Sequence, residues 1–365
     1  DLDFSAYYWV PMGFGSANTA VRAKFVADNV NPNRKTVKFT GIKIDNRGAD
    51  FPTYSQELNS FGLFGAIDGC NQVGQGFLSG IELVDVSINI DVSKVASDTV
   101  NIGSLVGYFA GQQEDTNAGT REAGVINCSA TGTINITQSD SSTNKKVNIG
   151  GLVGQTGIIS GTTKGAGITY LSTSVQTNSV TLNISGATGS TYNVGGLVGA
   201  NAGTIDCANT LGGNAADNLS TINSNIGNCG AIVGENKVGS CIKNTFSGNQ
   251  NDTTTPQIIM ADDATDTFIA GGIAGINRGE IKNCANFAGI RCYKKVLGGI
   301  VGDNYGTIAN CKNQAPVYID GNAIPASGIN EDGENLLLTN EPIMGGIAGN
   351  NRAGQISECV NYSPI

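Results

Sequence analysis

A four-residue pattern recurs eight times along this chain of 365 residues: glycine or another small residue, two apolar residues, then glycine. It reads Gly62-Leu63-Phe64-Gly65, Ser104-Leu105-Val106-Gly107, Gly151-Leu152-Val153-Gly154 and Gly196-Leu197-Val198-Gly199 in the first half. It continues as Ala231-Ile232-Val233-Gly234, Gly272-Ile273-Ala274-Gly275, Gly299-Ile300-Val301-Gly302 and Gly346-Ile347-Ala348-Gly349. The closing glycines stand 42, 47, 45, 35, 41, 27 and 47 residues apart. A constant motif at an elastic interval predicts one repeated structural unit with segments of variable length between copies. Units of this kind stack, because none buries its apolar face alone.

Two further elements belong to the repeat. After a turn marked by Asn201, Asn236, Asn277, Asn304 or Asn351 comes Gly-x-Ile and then Cys-x-Asn, as in Gly306-Thr307-Ile308-Ala309-Asn310-Cys311-Lys312-Asn313. Short alternating runs such as Ser87-Ile88-Asn89-Ile90, Thr133-Ile134-Asn135-Ile136 and Thr181-Leu182-Asn183-Ile184 complete it. Period-two alternation, β-branched residues and Gly/Asn punctuation predict strands. The expected fold is all-β, a three-sided right-handed parallel β-helix of about eight coils, the handedness following the general preference of parallel crossovers. Coils spaced about 4.8 Å apart make a rod of roughly 40 Å. Residues 1–58, rich in aromatics that include Tyr7, Tyr8, Trp9 and Phe14, are expected to form a cap and an irregular first coil. Such a cap covers the open end of a solenoid, and its aromatics offer an alternative use as a sugar platform. Residues 59–365 then form one continuous domain.

Composition narrows the chemistry. There is no histidine, so a Ser-His-Asp or Cys-His nucleophile, a His-ligated metal and a His-Glu-x-x-His peptidase motif are all excluded. The 52 glycines lack the strict phasing of collagen. A net charge of −9 argues against nucleic acid. Segments 108–123, 249–267 and 315–342 hold 12 of the 30 acidic residues and a single basic one, Arg121, so the acidity is expected to sit in three insertions. No apolar run approaches the ~20 residues of a membrane span, and Asp1-Leu2-Asp3 does not read as a signal peptide. A monomer is expected.

Several side-chain sets are candidates for function. Cys128, Cys207, Cys284, Cys311 and Cys359 share nearly one repeat position. Metal binding and a disulfide ladder are open readings, but parallel Cβ vectors suit a disulfide dihedral poorly and zinc-type Cys-x₂-Cys spacing is missing. A buried cysteine column is the preferred reading, and an odd total of nine leaves at least one thiol unpaired. Ala202, Lys237, Arg278, Tyr305 and Arg352 follow the turn asparagines and should align into a basic-aromatic stripe able to grip a ligand, with Glu235 and Asp303 near enough to pair with it. The acidic segments offer Glu114 and Asp115, then Asp262, Asp263 and Asp266, then Asp320, Glu331, Asp332 and Glu334. They match no EF-hand loop, so calcium is kept as an option at Asp262, Asp263 and Asp266 alone. No catalytic residue and no other cofactor is assigned.

The tetrad, Gly-Thr-Ile and Cys-x-Asn, with the entry Phe39-Thr40-Gly41-Ile42-Lys43-Ile44, resemble the GLUG repeat. The resemblance spans about 39–361, with mild departures at Ser104 and at Cys241, which precedes Ile242. It implies a bacterial cell-surface or secreted protein, like the adhesin-like proteins of gut Bacteroidetes, and a likeness to the repeat region of immunoglobulin A-specific metallopeptidases. The catalytic motif of those peptidases is missing and no histidine exists to build it. Three functions follow as expectations. The first is a non-catalytic module presenting loops to a host protein or glycan. The second is a β-helical polysaccharide lyase or glycoside hydrolase working through carboxylates and Lys/Arg. The third is a spacer within a larger surface protease.

Overall fold

The computed structural model describes residues 1–13, 24–26, 37–48, 58–68, 77–111, 124–158, 167–169, 178–206, 219–249, 256–260, 268–292, 296–319 and 343–363. Every ladder among them is parallel, and successive coils lie one on the next. The chain is a parallel β-helix.

Each full coil feeds four ladders, one more than three sides require. The pre-tetrad ladder runs from Ser60–Phe61 and Thr99–Gly103 to Ile343–Gly345. The post-tetrad ladder runs from Phe64–Asp68 and Val106–Gly111 to Ala348–Asn351. A Gly-x-Ile ladder contains Phe77–Ser79, Cys241–Lys243 and Glu280–Lys282. An alternating ladder contains Ile81–Asp91, Ser129–Thr137, Ser179–Ser185 and Thr221–Ser224. A short fifth ladder, Phe246–Gly248 to Val360–Asn361, is added in the later coils.

The extra side comes from the tetrad itself. Its first two residues are a two-residue corner in all eight copies, and its last two begin the next strand. The strands on either side of that corner pack backbone against backbone. A Cβ at Gly107 would stand 2.5 Å from the Phe61 nitrogen and 2.8 Å from the Gly65 oxygen, both in the coil below. A Cβ on Gly103, the residue before the tetrad, would stand 2.5 Å from the Val106 oxygen. The same position is Gly150, Gly195, Gly230, Gly271, Gly298 and Gly345 in later coils. The working motif therefore has a fifth, leading glycine, and the glycine excess is a close-packing device. The numbers of residues between the other described strands differ from coil to coil.

The core is four apolar columns, one per main ladder. Ile88, Ile134, Leu182, Ile222, Ile258, Ile290 and Val317 succeed one another in register along the alternating ladder. Leu78, Val125, Ile168, Ile205, Ile242, Ile281 and Ile308 do so along the Gly-x-Ile ladder. Most of these side chains are fully buried, each worth about 1.5–3 kcal/mol relative to exposure. Ile258 and Val317 correct the reading of the acidic segments as insertions. Pro256–Met260 and Val317–Ile319, like Val106–Gly111, are strands of the coil body, because their apolar residues are needed to continue the columns. The acidic residues of those segments lie outside the described residues.

The N-terminal residues join the same ladders. Leu2–Asp3 pairs with Phe39 and Thr40, Tyr8 bridges to Lys43, and Met12 bridges to Phe64. Trp9 turns inward, donates its indole N–H to the Leu63 oxygen at 3.0 Å and meets Phe4 edge-on at 4.9 Å. Tyr7 and Tyr8 stay 74% and 69% exposed.

Candidate functional site

Asparagine columns set the geometry of every surface that carries candidate residues. Asn201, Asn236, Asn277 and Asn304 are fully buried at the end of the post-tetrad strand, and Asn351 ends their column at the last described coil. Each amide donates to the next Oδ1, at 2.9, 2.9, 2.8 and 2.9 Å. The buried oxygens also accept local backbone N–H groups, as Asn277 does from Gly279 at 3.2 Å. A second column, Asn228 to Asn193 to Asn148 to Asn101, runs the opposite way at 2.9 Å per step. A third lies on the outer face of the alternating ladder, from Asn223 through Asn183 and Asn135 to Asn89, at 2.8 Å per step. Hydrogen-bonded amide ladders satisfy side chains that the coil spacing brings together.

The stripe expected from the sequence forms immediately after the first column. Ala202 is buried and adds nothing to the surface. Arg278 lies with its guanidinium 4.5 Å from the Tyr305 ring centroid, and Arg352 approaches the same ring at 6.0 Å. Tyr305 is thus held between two arginines from the coils below and above, a cation–π arrangement. Both cations are already paired. Arg278 donates to Glu235 at 3.3 Å, and Arg352 donates from Nε to both oxygens of Asp303 at 3.0 Å. Tyr305 adds its hydroxyl to Asp303 at 3.2 Å. Glu235 also accepts from Asn193 at 3.3 Å. Burial, with Lys146 nearby, pushes the Lys237 amine below its ordinary range, and Glu235 partly opposes the shift. The arrangement is a network of two acids, three cations and one phenol spread over neighbouring coils, with one positive charge in excess.

Cys128, Cys284 and Cys311 are buried in the core as expected, and the later cysteines have a second job. Asn127, Asn244, Asn283, Asn310 and Glu358 adopt φ between 49° and 54°, a left-handed conformation that asparagine tolerates well. The next residue in the later coils sends its side-chain donor to the carbonyl two residues earlier. Thr245 reaches Lys243 at 2.8 Å, Cys284 reaches Lys282 at 3.2 Å, Cys311 reaches Ala309 at 3.3 Å and Cys359 reaches Ser357 at 3.1 Å. Threonine doing the same with a hydroxyl shows that the thiol closes a corner as well as filling the core. No disulfide joins any two of the described cysteines, Cys128, Cys229, Cys241, Cys284, Cys292, Cys311 and Cys359. Cys241 stands apart on the outside of its ladder, 3.4 Å from Glu280, where burial and that carboxylate push its thiol up to about 11.

Cys207, Asp262, Asp263 and Asp266 lie outside the described residues, so the calcium option has no geometry. Among the described residues no group of three or more Cys, Asp or Glu side chains is arranged to hold a metal ion, and no helix is long and apolar enough to cross a membrane. Two features escaped sequence reasoning. The outer asparagine column was visible only as scattered alternating runs, and Tyr7 and Tyr8 looked no different from the aromatics that pack inward.

No family model matches the chain, and no curated protein matches it. Among solved structures it is similar to the crystal structure of a putative immunoglobulin A1 protease from Bacteroides ovatus. The two are 16% identical with a TM-score of 0.43, over 95% of this chain and 75% of that one. A likeness this distant transfers no activity.

Proposed function

We propose that this chain is a non-catalytic binding module of a bacterial cell surface or secreted protein, a GLUG-type repeat rod that presents chain segments to a host protein or glycan. One observation carries the reading: all eight tetrad corners keep two residues, while the intervals at the other corners vary widely. A scaffold of constant register with elastic intervals is suited to recognition by the segments it carries. The stripe supports the same reading, since Arg278 and Arg352 are paired with Glu235 and Asp303 within the protein. The test is a glycan and mucosal-protein binding array, with and without calcium. Specific binding in the absence of any turnover is the expected result.

A second reading has one observation in its favour. Lys237, its amine pushed down by burial, shares a cross-coil cluster with Glu235, Arg278 and Tyr305. An amine whose pKa burial lowers is a candidate general base, and a polysaccharide lyase needs one. Turnover of a uronic-acid polysaccharide, abolished in Lys237→Ala, would replace the binding reading with this one. Silence across a polysaccharide panel removes it.

A further inference from the structure

We propose that the outer face of the alternating ladder, with Tyr8 at its N-terminal end, binds an extended neutral glycan; this rests on the surface-binding reading above. The register makes the case. Lys43 pairs with Ser87, and the same column continues through Thr133, Thr181 and Thr221. Two residues further on, at the next position on the same face, Asp45 heads the outer asparagine column. Tyr8 bridges to Lys43 in parallel, so its exposed ring extends the hydroxyl column by one more step.

Three properties of this face match a sugar polymer. Its two central columns are uncharged over four coils and offer hydroxyls and carboxamides only, while Glu82 and Asp85 stand nearer the start of the Ile81–Asp91 strand. The charges at its head are one of each sign, and Asp45 is held by Arg47 at 2.9 Å. An anionic polymer therefore finds no complementary potential along these columns. Second, the amides are locked by 2.8 Å bonds from coil to coil. Each keeps its remaining N–H and lone pair in a fixed direction, and such preorganised groups lose little entropy on binding. Third, Tyr7 and Tyr8 leave two large amphipathic rings in water while Trp9 beside them is tucked inward. Exposed rings of this kind mark contact surfaces.

The size is also selective. From Tyr8 to Thr221 the column takes five steps of about 4.8 Å, or about 24 Å, the reach of an oligosaccharide and not of one sugar. Beyond Asn223 the asparagine column gives way to Ile259 and then Arg291 in the same register, which closes the polar tract.

Affinity electrophoresis of the full chain tests the proposal, in native gels carrying a soluble neutral β-glucan, a galactomannan or polygalacturonate. Retardation by a neutral polysaccharide is expected. It should weaken about tenfold in Tyr8→Ala and in Thr181→Glu, and stay unchanged in Lys312→Ala on the fifth ladder. Tyr8 is exposed, so its variant reports on binding even where Thr181→Glu disturbs the strand. Neutral-glycan binding that survives both variants overturns this site and leaves the surface-binding reading intact. Retardation by polygalacturonate alone overturns the neutral class. Binding to mucosal protein with no glycan retardation overturns the inference only, and binding to neither overturns both.

Discussion

Replacing Asn277 tests whether the buried amide column holds the coils together. Its Nδ2 donates to the Asn304 oxygen at 2.8 Å, and its Oδ1 accepts from Asn236 at 2.9 Å. All three residues are fully buried, so water cannot replace a lost partner. Asn277→Ala strands one donor on Asn236 and one acceptor position on Asn304. Each stranded buried group costs about 1–3 kcal/mol, so the variant should lose about 2–6 kcal/mol. Asn277→Asp keeps the shape but places an oxygen where Nδ2 donates, lone pair against lone pair. When protonated, that carboxyl can donate to Asn304 as the amide did. Burial raises its pKa in the folded state, so its stability should be greatest at low pH. It should fall as pH rises from the unfolded value near 3.9 through the folded one. Urea unfolding followed by far-UV circular dichroism, each variant against wild type at pH 3.5 and 7, reads both effects. Hydrogen exchange should place the loss at the Tyr305 and Gly306 amides, which donate to the Asn277 carbonyl at 2.8 and 3.1 Å. A cost below about 1 kcal/mol for the alanine variant, or no pH dependence for the aspartate one, would refute the reasoning.

Other expectations follow from the same geometry. Gly199→Ala would place a Cβ 2.5 Å from the Gly154 oxygen and 2.7 Å from the Asn148 carbonyl carbon. Two laddered backbones cannot both move aside, so a loss of at least about 1–3 kcal/mol is expected in thermal unfolding. Glu358→Asn should stabilise the last coil by up to about 1 kcal/mol, since Glu358 is held at φ 52° where the preceding coils use asparagine; a lowered urea midpoint would contradict this. Alkylation of native Cys241 should be slow at pH 7 and rise about tenfold per pH unit toward about 11, because only the thiolate reacts. The same raised pKa means that its contribution to stability is whole below the ordinary thiol range and is lost as pH climbs from about 9 to about 11. A labelling rate that levels off near pH 9, followed by mass spectrometry, would show an unshifted thiol.

Much of this architecture was legible in the residues because a solenoid translates sequence repetition into spatial repetition. The tetrads and the turn asparagines land at the two ends of one ladder, and the Gly-x-Ile runs land in another. The stripe of Lys237, Arg278, Tyr305 and Arg352 follows from nothing more than equal position in successive coils. The fourth ladder was not legible. A run such as Gly151-Leu152-Val153-Gly154 shows neither that its first two residues are a corner nor that Gly150 belongs to it. Those facts depend on how closely two strands of different coils approach. The pairing of Arg278 with Glu235 and of Arg352 with Asp303 was visible as a prospect only, since charge positions do not fix which side chains meet.

The sequence by itself determined the class of fold, its period and what the chain cannot catalyse, because periodicity and the missing histidine are properties of the string. Only the tertiary structure decided what the repeated residues do. Asparagine became a continuous amide column, cysteine a corner donor, and glycine a seat for a neighbouring backbone. The asparagine and glycine roles exist only when residues some 27 to 48 positions apart are brought to one coil spacing, a distance that stacking sets and no local pattern contains, while the cysteine's local bond depends on the corner that the fold imposes.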